Sequence, residues 1–253
     1  MIPKLQLVAL KKRLRGRQVL DGVDLDVAPG KSLVVIGGSG VGKSVTLKCA
    51  LGLMKPDSGQ VLVDGAEIAR MARRAREDVM RKFGMLFQGG ALFDSLSVWE
   101  NIAFRLIYAD EVPRKLARER AIETMGKVRL AAEFADVRPI ELSGGMQKRA
   151  GLARAIIAKP DILFFDEPTT GLDPITADAI NDLIVEMVRD LGCAAVSITH
   201  DMASARKIAD EIAMLHAGKI VWRGPAASID ASGNPMVDQF VAGRADGPIQ
   251  AVR

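Results

Sequence analysis

The chain has 253 residues and carries 35 basic and 31 acidic side chains, which gives a net charge of +4. Hydrophobic residues make up 49% of the chain and charged residues 26%, so the composition supports a sizeable core and excludes an intrinsically disordered protein. No stretch reaches about 18 uncharged apolar residues, and the N-terminus lacks the order of a signal peptide, so we expect neither a membrane-spanning helix nor a signal peptide.

The basic residues form two clusters, at 11–17 and 70–82. Such clusters occur in nucleic-acid-binding proteins, but they are also typical of a solvated face near an anionic nucleotide or lipid. No nucleic-acid-binding motif accompanies either cluster. We therefore favour the second interpretation and expect no nucleic-acid partner.

The chain has two cysteines, Cys49 and Cys193. They provide neither a disulfide framework nor the spacing of metal ligands. We expect both to be buried, reduced thiols.

Strand-like apolar runs alternate with helical patterns along the chain. Three strands are predicted first, and the third leads into a helix from residue 43 to about residue 54, which ends at the turn residues 56–59. Two short strands follow, then a mostly helical block over 97–158, and then four more strands. The predicted strands are 5–10, 18–27, 32–37, 61–63, 84–88, 161–167, 194–200, 211–216 and 219–224.

This alternation predicts an α/β fold with a largely parallel sheet. The helical block has the position of an inserted subdomain, at about 89–158. The tail after residue 225 is polar and contains glycine and proline. We therefore expect a single domain over 1–225 and a C-terminal extension over 226–253.

A glycine-rich segment follows the third predicted strand and opens the first predicted helix. It fits G-x-x-x-x-G-K-[ST], the phosphate-binding loop or P-loop. Its glycines allow backbone N–H groups to surround a phosphate, and the helix N-terminus adds unpaired donors. We expect Lys43 to reach the β- and γ-phosphates of ATP and Ser44 to bind Mg²⁺. The predicted ATP-binding residues are Gly37, Gly38, Ser39, Gly40, Val41, Gly42, Lys43 and Ser44.

A pair of carboxylates ends a later strand. Residues 162–165 are apolar and lead directly to Asp166 and Glu167. A buried strand places such residues at the carboxyl edge of the sheet, where open α/β folds bind ligands. Alone, the pair is equally explained by solvation of a strand end. After a P-loop, Asp166 is placed to hold Mg²⁺ through water, and Glu167 is the candidate general base, a role worth roughly 10²–10⁴ in rate.

A third motif points to a family. Leu142-Ser-Gly-Gly-Met146 closely resembles the LSGGQ signature of ABC transporter ATPases, and it precedes a helix predicted over 147–158. The resemblance implies a P-loop NTPase core of the RecA-like type, with a small antiparallel β subdomain and an inserted α-helical subdomain. It also implies a head-to-tail dimer, in which each signature contacts ATP held by the second copy of the chain. The signature residues are Ser143, Gly144, Gly145 and Met146.

Three further family elements occur in order. Gln88 matches the glutamine that touches Mg²⁺ and the attacking water while linking to the membrane partner. Asp173 lies in the loop that joins the two active sites of the dimer. His200 follows a strand and matches the switch histidine that contacts the γ-phosphate. The resemblance therefore implies catalytic roles for Glu167, His200 and Gln88, dimer communication through Asp173, and metal contacts from Ser44, Gln88 and Asp166.

Two positions depart from the family pattern. Met146 replaces the usual glutamine of the signature, but because the serine and the glycines make the phosphate contacts, we expect activity to be retained. The family also stacks adenine on an aromatic residue upstream of the P-loop, whereas the matching position here is near Leu14 and no aromatic residue is close. Adenine would then rest on Leu14 or on the plane of a neighbouring arginine.

Within the family, the resemblance is to the ATPases of Mla-type phospholipid transport systems. It is carried by residues 85–101, by the segment SGGMQKRAGLARA from Ser143, and by residues 245–249; this group is expected to have methionine at the position of Met146. The resemblance implies two permease subunits, a periplasmic ring of MCE-domain subunits and often a small STAS-domain protein. It also implies phospholipid transport between inner and outer membranes, powered from the cytoplasmic face of the inner membrane, where the permease holds the chain.

Other classes of P-loop protein fit less well. DNA-repair and chromosome-organising ATPases carry a long coiled coil between P-loop and signature, but here only about a hundred residues without sustained heptads intervene. Translation-factor ABC proteins carry two cassettes, and GTPases or small-molecule kinases lack the signature. The remaining alternative is the ATPase of another ABC importer, such as one for amino acids.

Aromatic residues are concentrated around Gln88. We expect Phe83 and Phe104 to be core residues, and Phe93 or Trp99 to line a groove that receives a permease helix.

Overall fold

The computed structural model describes residues 2–250. This part of the chain contains ten β-strands and nine α-helices. The strands are β1 (Leu5–Leu14), β2 (Arg17–Val27), β3 (Ser32–Ile36), β4 (Ser58–Val63), β5 (Ala66–Glu67), β6 (Phe83–Leu86), β7 (Ile162–Asp166), β8 (Ala194–Thr199), β9 (Glu211–His216) and β10 (Lys219–Pro225). The helices are α1 (Lys43–Ala50), α2 (Arg73–Met80), α3 (Val98–Ile102), α4 (Phe104–Tyr108), α5 (Arg114–Lys127), α6 (Gly144–Ile156), α7 (Pro174–Leu191), α8 (Met202–Ile208) and α9 (Pro235–Val241).

Six strands form the central sheet, in the order β10-β9-β3-β8-β7-β6. The pairs from β9 to β6 are parallel, and β10 at the edge pairs antiparallel with β9. Strands β3 and β8 are buried along their whole length because both faces of the sheet are covered. Successive residues of β3 alternate between the faces: Val34 and Ile36 pack on one side, Leu33 and Val35 on the other.

A smaller antiparallel sheet, in the order β2-β1-β4-β5, covers one face of the central sheet. Leu10 and Leu20 from this sheet share an apolar cluster with Leu47 of α1 and Val35 of β3. Helices α6, α7 and α8 contribute to the cluster on the opposite face. The result is the predicted α/β arrangement, with the antiparallel sheet and α1 on one side of the parallel strands and α6, α7 and α8 on the other.

Helices α3 to α6 lie between β6 and β7 in sequence, so the helical block is inserted between two neighbouring parallel strands. A capping box starts α3, because Ser97 and Glu100 each accept a hydrogen bond from the other's backbone. The buried Asn101 fixes the preceding loop: its side chain accepts from Phe93 N at 2.6 Å and donates to Phe93 O at 3.0 Å. The proposed limits of the subdomain, 89–158, stay a prediction.

Two predicted helix boundaries are wrong. Helix α1 ends at Ala50 rather than near Met54, and Gly52 just after it has a φ of 67°, the left-handed conformation that commonly ends helices. Helix α6 begins at Gly144 rather than at residue 147, because Ser143 caps it by accepting from Met146 N at 3.3 Å. The signature glycines therefore lie in the first turn of α6.

The C-terminal segment packs against the fold. The buried side chain of Gln239 in α9 donates to Ile249 O and accepts from Ile249 N, and Ile249 packs on the helical side of the central sheet. The division into units 1–225 and 226–253 stays a prediction, and Met1 and residues 251–253 lie outside the described residues. Within residues 2–250, no helix combines the length and the apolarity needed to cross a membrane.

Both cysteines should be unreactive in the folded protein. Cys49 and Cys193 are buried, and desolvation raises the pKa of each thiol to about 11. At about pH 8 the reactive thiolate is therefore roughly one part in a thousand of each group. We expect no reaction with Ellman's reagent in the native state and reaction of two thiols after unfolding in guanidinium chloride. Rapid labelling of either thiol in the native protein would contradict this packing.

Candidate functional site

The P-loop connects β3 to α1 through a turn that contains three glycines with positive φ. Gly37, Gly40 and Gly42 have φ values of 150°, 74° and 113°. A Cβ atom at Gly42 would approach Leu20 Cδ2 to 2.8 Å, and one at Gly37 would collide with the carbonyl oxygen of Leu215. Glycine is therefore required at both ends of the loop, which curls over the N-terminus of α1.

Lys43, the first residue of α1, is only 8% exposed. Its Nζ donates to Gly37 O at 2.6 Å and to Gly38 O at 2.9 Å. Burial lowers the pKa of Lys43, while the carboxylates of Glu167 and Asp166 act in the opposite direction. A buried ammonium group whose neighbours are mainly carbonyl oxygens is well placed to pair with an anion that enters the loop.

Asp166 is the last residue of β7, the strand that pairs with β8. Its Oδ1 is buried and has no hydrogen-bond partner among residues 2–250. Burial, and then the charge of Glu167, raise the pKa of the Asp166 carboxyl, and nearby lysines oppose this. A buried carboxylate oxygen without a partner is destabilising, so this position fits a cation or the water bound to one. Asp166 and the exposed hydroxyl of Ser44 form a donor set suited to hydrated Mg²⁺.

Glu167 is held through one of its two carboxylate oxygens. Its Oε2 accepts from Thr170 Oγ1 at 3.0 Å and from Thr199 Oγ1 at 3.4 Å, and it lies 2.8 Å from His200 Nδ1. Because a carboxylate can only accept, the proton of the histidine in this contact is on Nδ1. All three contacts use Oε2, which leaves Oε1 as the oxygen open to a water molecule.

A buried lysine that the sequence analysis missed lies behind the same carboxylates. Lys148 of α6 is 3% exposed, and its Nζ donates to the backbone oxygen of Glu167 at 3.2 Å. Burial lowers its pKa, while Asp166 and Glu167 act in the opposite direction. Its position next to the signature was visible in the sequence, but nothing there showed that α6 packs against the end of β7.

Most of the predicted ATP-site residues line one cleft of about 640 Å³, but Gly37, Val41 and Asp166 are not among its lining residues. It brings together Gln88, Glu167 and His200 with most of the P-loop, namely Gly38, Ser39, Gly40, Gly42, Lys43 and Ser44. A cleft of about 720 Å³ at the opposite edge of the sheet, beside Asp161 and Ala194, contains none of the predicted site residues. The carboxyl edge of the sheet is therefore the candidate site.

The apolar walls of the cleft differ from those expected. Val19 of β2 and Phe240 of α9 line it, whereas Leu14 does not. Sequence reasoning missed Phe240 because α9 lies far from the P-loop along the chain, in the segment assigned to the extension. How adenine is held stays a prediction.

The signature and Asp173 lie outside this cleft. A Cβ at Gly145 would come within 2.7 Å of Thr176 Cγ2, so the signature packs closely on the start of α7. Asp173 caps α7 by accepting from the backbone N–H groups of Ile175 and Thr176, both at 3.0 Å. Ser143 acts as a cap through a lone pair, so its hydroxyl proton remains available to a ligand.

Comparisons with known proteins agree with this geometry. The sequence profile of the family described as "ABC transporter" matches residues 20–170. The chain is 40% identical, over 92% of its length and 86% of the relative's, to "Intermembrane phospholipid transport system ATP-binding protein MlaF" of Escherichia coli strain K12. It is 36% identical, over 97% of its length and 70% of the relative's, to "Probable ribonucleotide transport ATP-binding protein mkl" of Mycobacterium leprae.

Among solved structures, the fold is similar to "Dimeric structure of a post-hydrolysis state of the ATP-binding cassette MJ0796 bound to ADP and Pi". That match has a TM-score of 0.79 and 30% sequence identity, and it covers 88% of this chain and 98% of the other. The fold class and the family predicted from the sequence are thus confirmed. The chain belongs to the ABC transporter family, as an ATP-hydrolysing nucleotide-binding subunit.

Proposed function

We propose that this chain powers phospholipid transport between the inner and outer membranes, bound to a permease on the cytoplasmic face of the inner membrane. The observation that carries the hydrolytic role is the convergence of Lys43, Glu167 and His200 on one cleft. The cargo is inferred from the name of the Escherichia coli relative. The Mycobacterium leprae relative is less similar and is named for probable ribonucleotide transport. Neither name supports the alternative of an amino-acid importer.

The P-loop residues bind the phosphates of ATP in this proposal. Backbone N–H groups of Gly38 to Ser44 surround them at the N-terminus of α1. Lys43 exchanges its bonds to the loop carbonyls for bonds to the β- and γ-phosphates, which compensates its buried charge. Ser44, Gln88 and Asp166 are the groups that would hold Mg²⁺, which supplies charge neutralisation when bound.

Glu167 acts as the general base for the attacking water. Its Oε2 is occupied by two threonine hydroxyls and by His200, which fixes the carboxylate and leaves Oε1 for the water. The His200 side chain is 60% exposed at the cleft, so Nε2 is the ring nitrogen left to contact the γ-phosphate, to which it donates when it also carries a proton. The hydrogen bond between Glu167 and His200 thereby links the group that takes the proton from water to the group that contacts the γ-phosphate.

The signature acts across a dimer. Ser143, Gly144 and Gly145 lie outside the cleft of their own chain, yet they present a hydroxyl and the first-turn N–H groups of a 13-residue helix. Such a surface is complementary to a phosphate. A head-to-tail pair would place it over the γ-phosphate of the second subunit, with Asp173 between the two sites. Two chains and two ATP molecules form the active unit.

A polar link joins the signature helix to the segment after Gln88. Arg154 of α6 donates to Gly90 O at 2.7 Å and to Ala91 O at 2.8 Å, and its guanidinium lies 5.9 Å from the centre of the Phe87 ring. Burial lowers the pKa of Arg154, so the charge is partly desolvated and its hydrogen bonds are correspondingly important. Movement of α6 against a partner's ATP would therefore displace the Gln88 segment.

The aromatic residues near Gln88 separate into core and surface. Trp99 is 9% exposed and belongs to the apolar core, so of the two residues expected to line the groove, Phe93 or Trp99, only Phe93 is exposed. Phe93 is 45% exposed and its ring lies 4.7 Å from that of Phe104, which in turn contacts Tyr108. Phe83 packs edge-on against Phe164 in the core. Phe93 and the exposed Tyr108, together with the half-buried Phe104 whose ring contacts both, are the proposed contact for a permease helix.

Beyond the permease, the proposed complex contains periplasmic MCE-domain subunits and a small STAS-domain protein. The test is to purify the membrane complex through a tag on this chain, in mild detergent. We expect a permease and MCE-domain subunits to co-purify with phospholipid, and ATP to drive lipid exchange between two membrane populations. Co-purification with a solute-binding protein, without lipid, would contradict the cargo proposal.

Lys43→Ala should abolish tight ATP binding, because the variant removes the charge that faces the phosphates. A loss of at least about a hundredfold in affinity is expected from a buried charge-assisted contact. Isothermal titration with ATP measures it, and Lys55→Ala, an exposed lysine beyond the end of α1, is the control. ATP affinity within a few-fold of wild type in Lys43→Ala would refute the P-loop assignment.

Glu167→Gln should retain ATP binding but lose hydrolysis by roughly 10²–10⁴ in rate, because the amide cannot accept the proton from water. ATP should then hold two chains together in a stable dimer. Size-exclusion chromatography with and without ATP measures the association, and a phosphate-release assay measures the rate. Hydrolysis within a few-fold of wild type would exclude Glu167 as the base.

Phe93→Ala should weaken association with the permease while the isolated chain still folds and binds ATP. Trp99→Ala, by contrast, removes a core residue and should lower the melting temperature. Co-purification, melting temperature and ATP affinity distinguish the two variants. Unchanged association and transport in Phe93→Ala would place the permease contact elsewhere.

A further inference from the structure

A group of mostly buried polar side chains connects the loops that follow β7 and β8. At its centre is Ser204, which is fully buried on α8. Ser204 Oγ lies 2.6 Å from Asp201 Oδ2, 2.9 Å from Asn181 Nδ2 and 3.0 Å from Thr169 Oγ1. Thr169 follows Glu167 by two residues, and Asp201 directly follows His200, so Ser204 joins the two loops that carry the proposed base and the switch histidine.

The single proton of the Ser204 hydroxyl determines which partner is the donor in each of its hydrogen bonds. A hydroxyl has one proton and two lone pairs. The carboxylate of Asp201 can only accept, so the Ser204 proton goes there. Ser204 must then accept from both Asn181 and Thr169, which also fixes the orientation of the Asn181 amide. The hydroxyl is fully satisfied, and its removal would leave the buried Thr169 and Asn181 and the half-buried Asp201 each short of one partner.

This arrangement gives the two loops a second connection. The first connection is the contact between Glu167 Oε2 and His200 Nδ1. Thr199 adds to it, because its Oγ1 donates to Glu167 Oε2 and accepts from Asp201 N at 3.0 Å. The second runs from Thr169 through Ser204 to Asp201. Because the His200 side chain is 60% exposed, packing constrains the ring weakly, and the placement of its backbone decides where it lies.

We infer that Ser204 is a positioning residue for hydrolysis, which holds the His200 loop against the Glu167 loop through Thr169, Asn181 and Asp201. The inference rests on the proposed roles of Glu167 and His200. Ser204 is fully buried and does not line the cleft, so it acts only through the residues it bonds. A misplacement of the histidine by about 1 Å is enough to reduce the rate strongly.

The test compares steady-state ATPase kinetics of variants within the purified membrane complex. Ser204→Ala should lower kcat at least about tenfold while the KM for ATP changes less than about twofold, because the P-loop contacts remain. Thr169→Val, nearly isosteric but without a hydroxyl, should lower kcat in the same way. Thr169→Ser keeps the donor and should retain kcat within about twofold.

Ser197→Ala is the matched control. Ser197 lies on β8, is fully buried, and its hydroxyl has no hydrogen-bond partner among residues 2–250, so the variant deletes the same atom without breaking a bond. Its kinetics should equal those of wild type. Melting temperatures of all variants show whether a loss of kcat reflects unfolding.

Three outcomes would overturn the inference: unchanged kcat in both Ser204→Ala and Thr169→Val, an equal loss in Thr169→Ser and Thr169→Val, or a loss that follows melting temperature and appears also in Ser197→Ala. If Ser204→Ala does not fold, the comparison of kcat between Thr169→Val and Thr169→Ser tests the inference by itself. A wild-type complex that hydrolyses no ATP would instead refute the proposed function.

Discussion

The parallel register of β3, β8 and β7 is the constraint on which the site depends. Ile36 at the end of β3 pairs with Thr199 at the end of β8, and Asp166 at the end of β7 pairs with Ile198. The three strands therefore end at one level of one edge, and the segments that follow them are brought together. The P-loop, Glu167 and His200 come from widely separated parts of the sequence, yet each follows directly on one of these strands.

The same edge concentrates charge in a partly desolvated space. Lys43 and Lys148 are both buried, and both have a pKa lowered by burial. The pKa of the Asp166 carboxyl is shifted the opposite way, because burial and the neighbouring charge of Glu167 both raise it. Each group is thus less stable in its charged form than in water, and an anionic ligand with its cation would compensate them. Burying these charged groups without the ligand lowers the free energy of unfolding, and the ligand would offset that loss.

Hydrogen bonds from residues outside the motifs give the site its geometry. Thr170 and Thr199 select one oxygen of Glu167, and Lys148 holds its backbone, which has a φ of 50°. Arg154 donates to the carbonyl oxygens of Gly90 and Ala91, which follow Gln88 in the chain. Both Lys148 and Arg154 lie on α6, the helix that begins with the signature. A single rigid helix therefore contacts the proposed base, the Gln88 segment and, in the proposed dimer, the nucleotide of the partner.

The sequence alone determined the motifs, the alternation of strands and helices and the family, because these depend on local patterns: glycines where a backbone must approach closely, apolar runs where strands are buried, and carboxylates at a strand end. It did not show where α6 begins, because Ser143 favours a helix start whereas the two glycines that follow it disfavour a helix. Nor did it show that Trp99 is buried, or that Phe240, Lys148, Ser204 and Asn181 lie around the site. Those positions depend on contacts between segments distant in the chain, and only the tertiary packing of the helices on the sheet decides them.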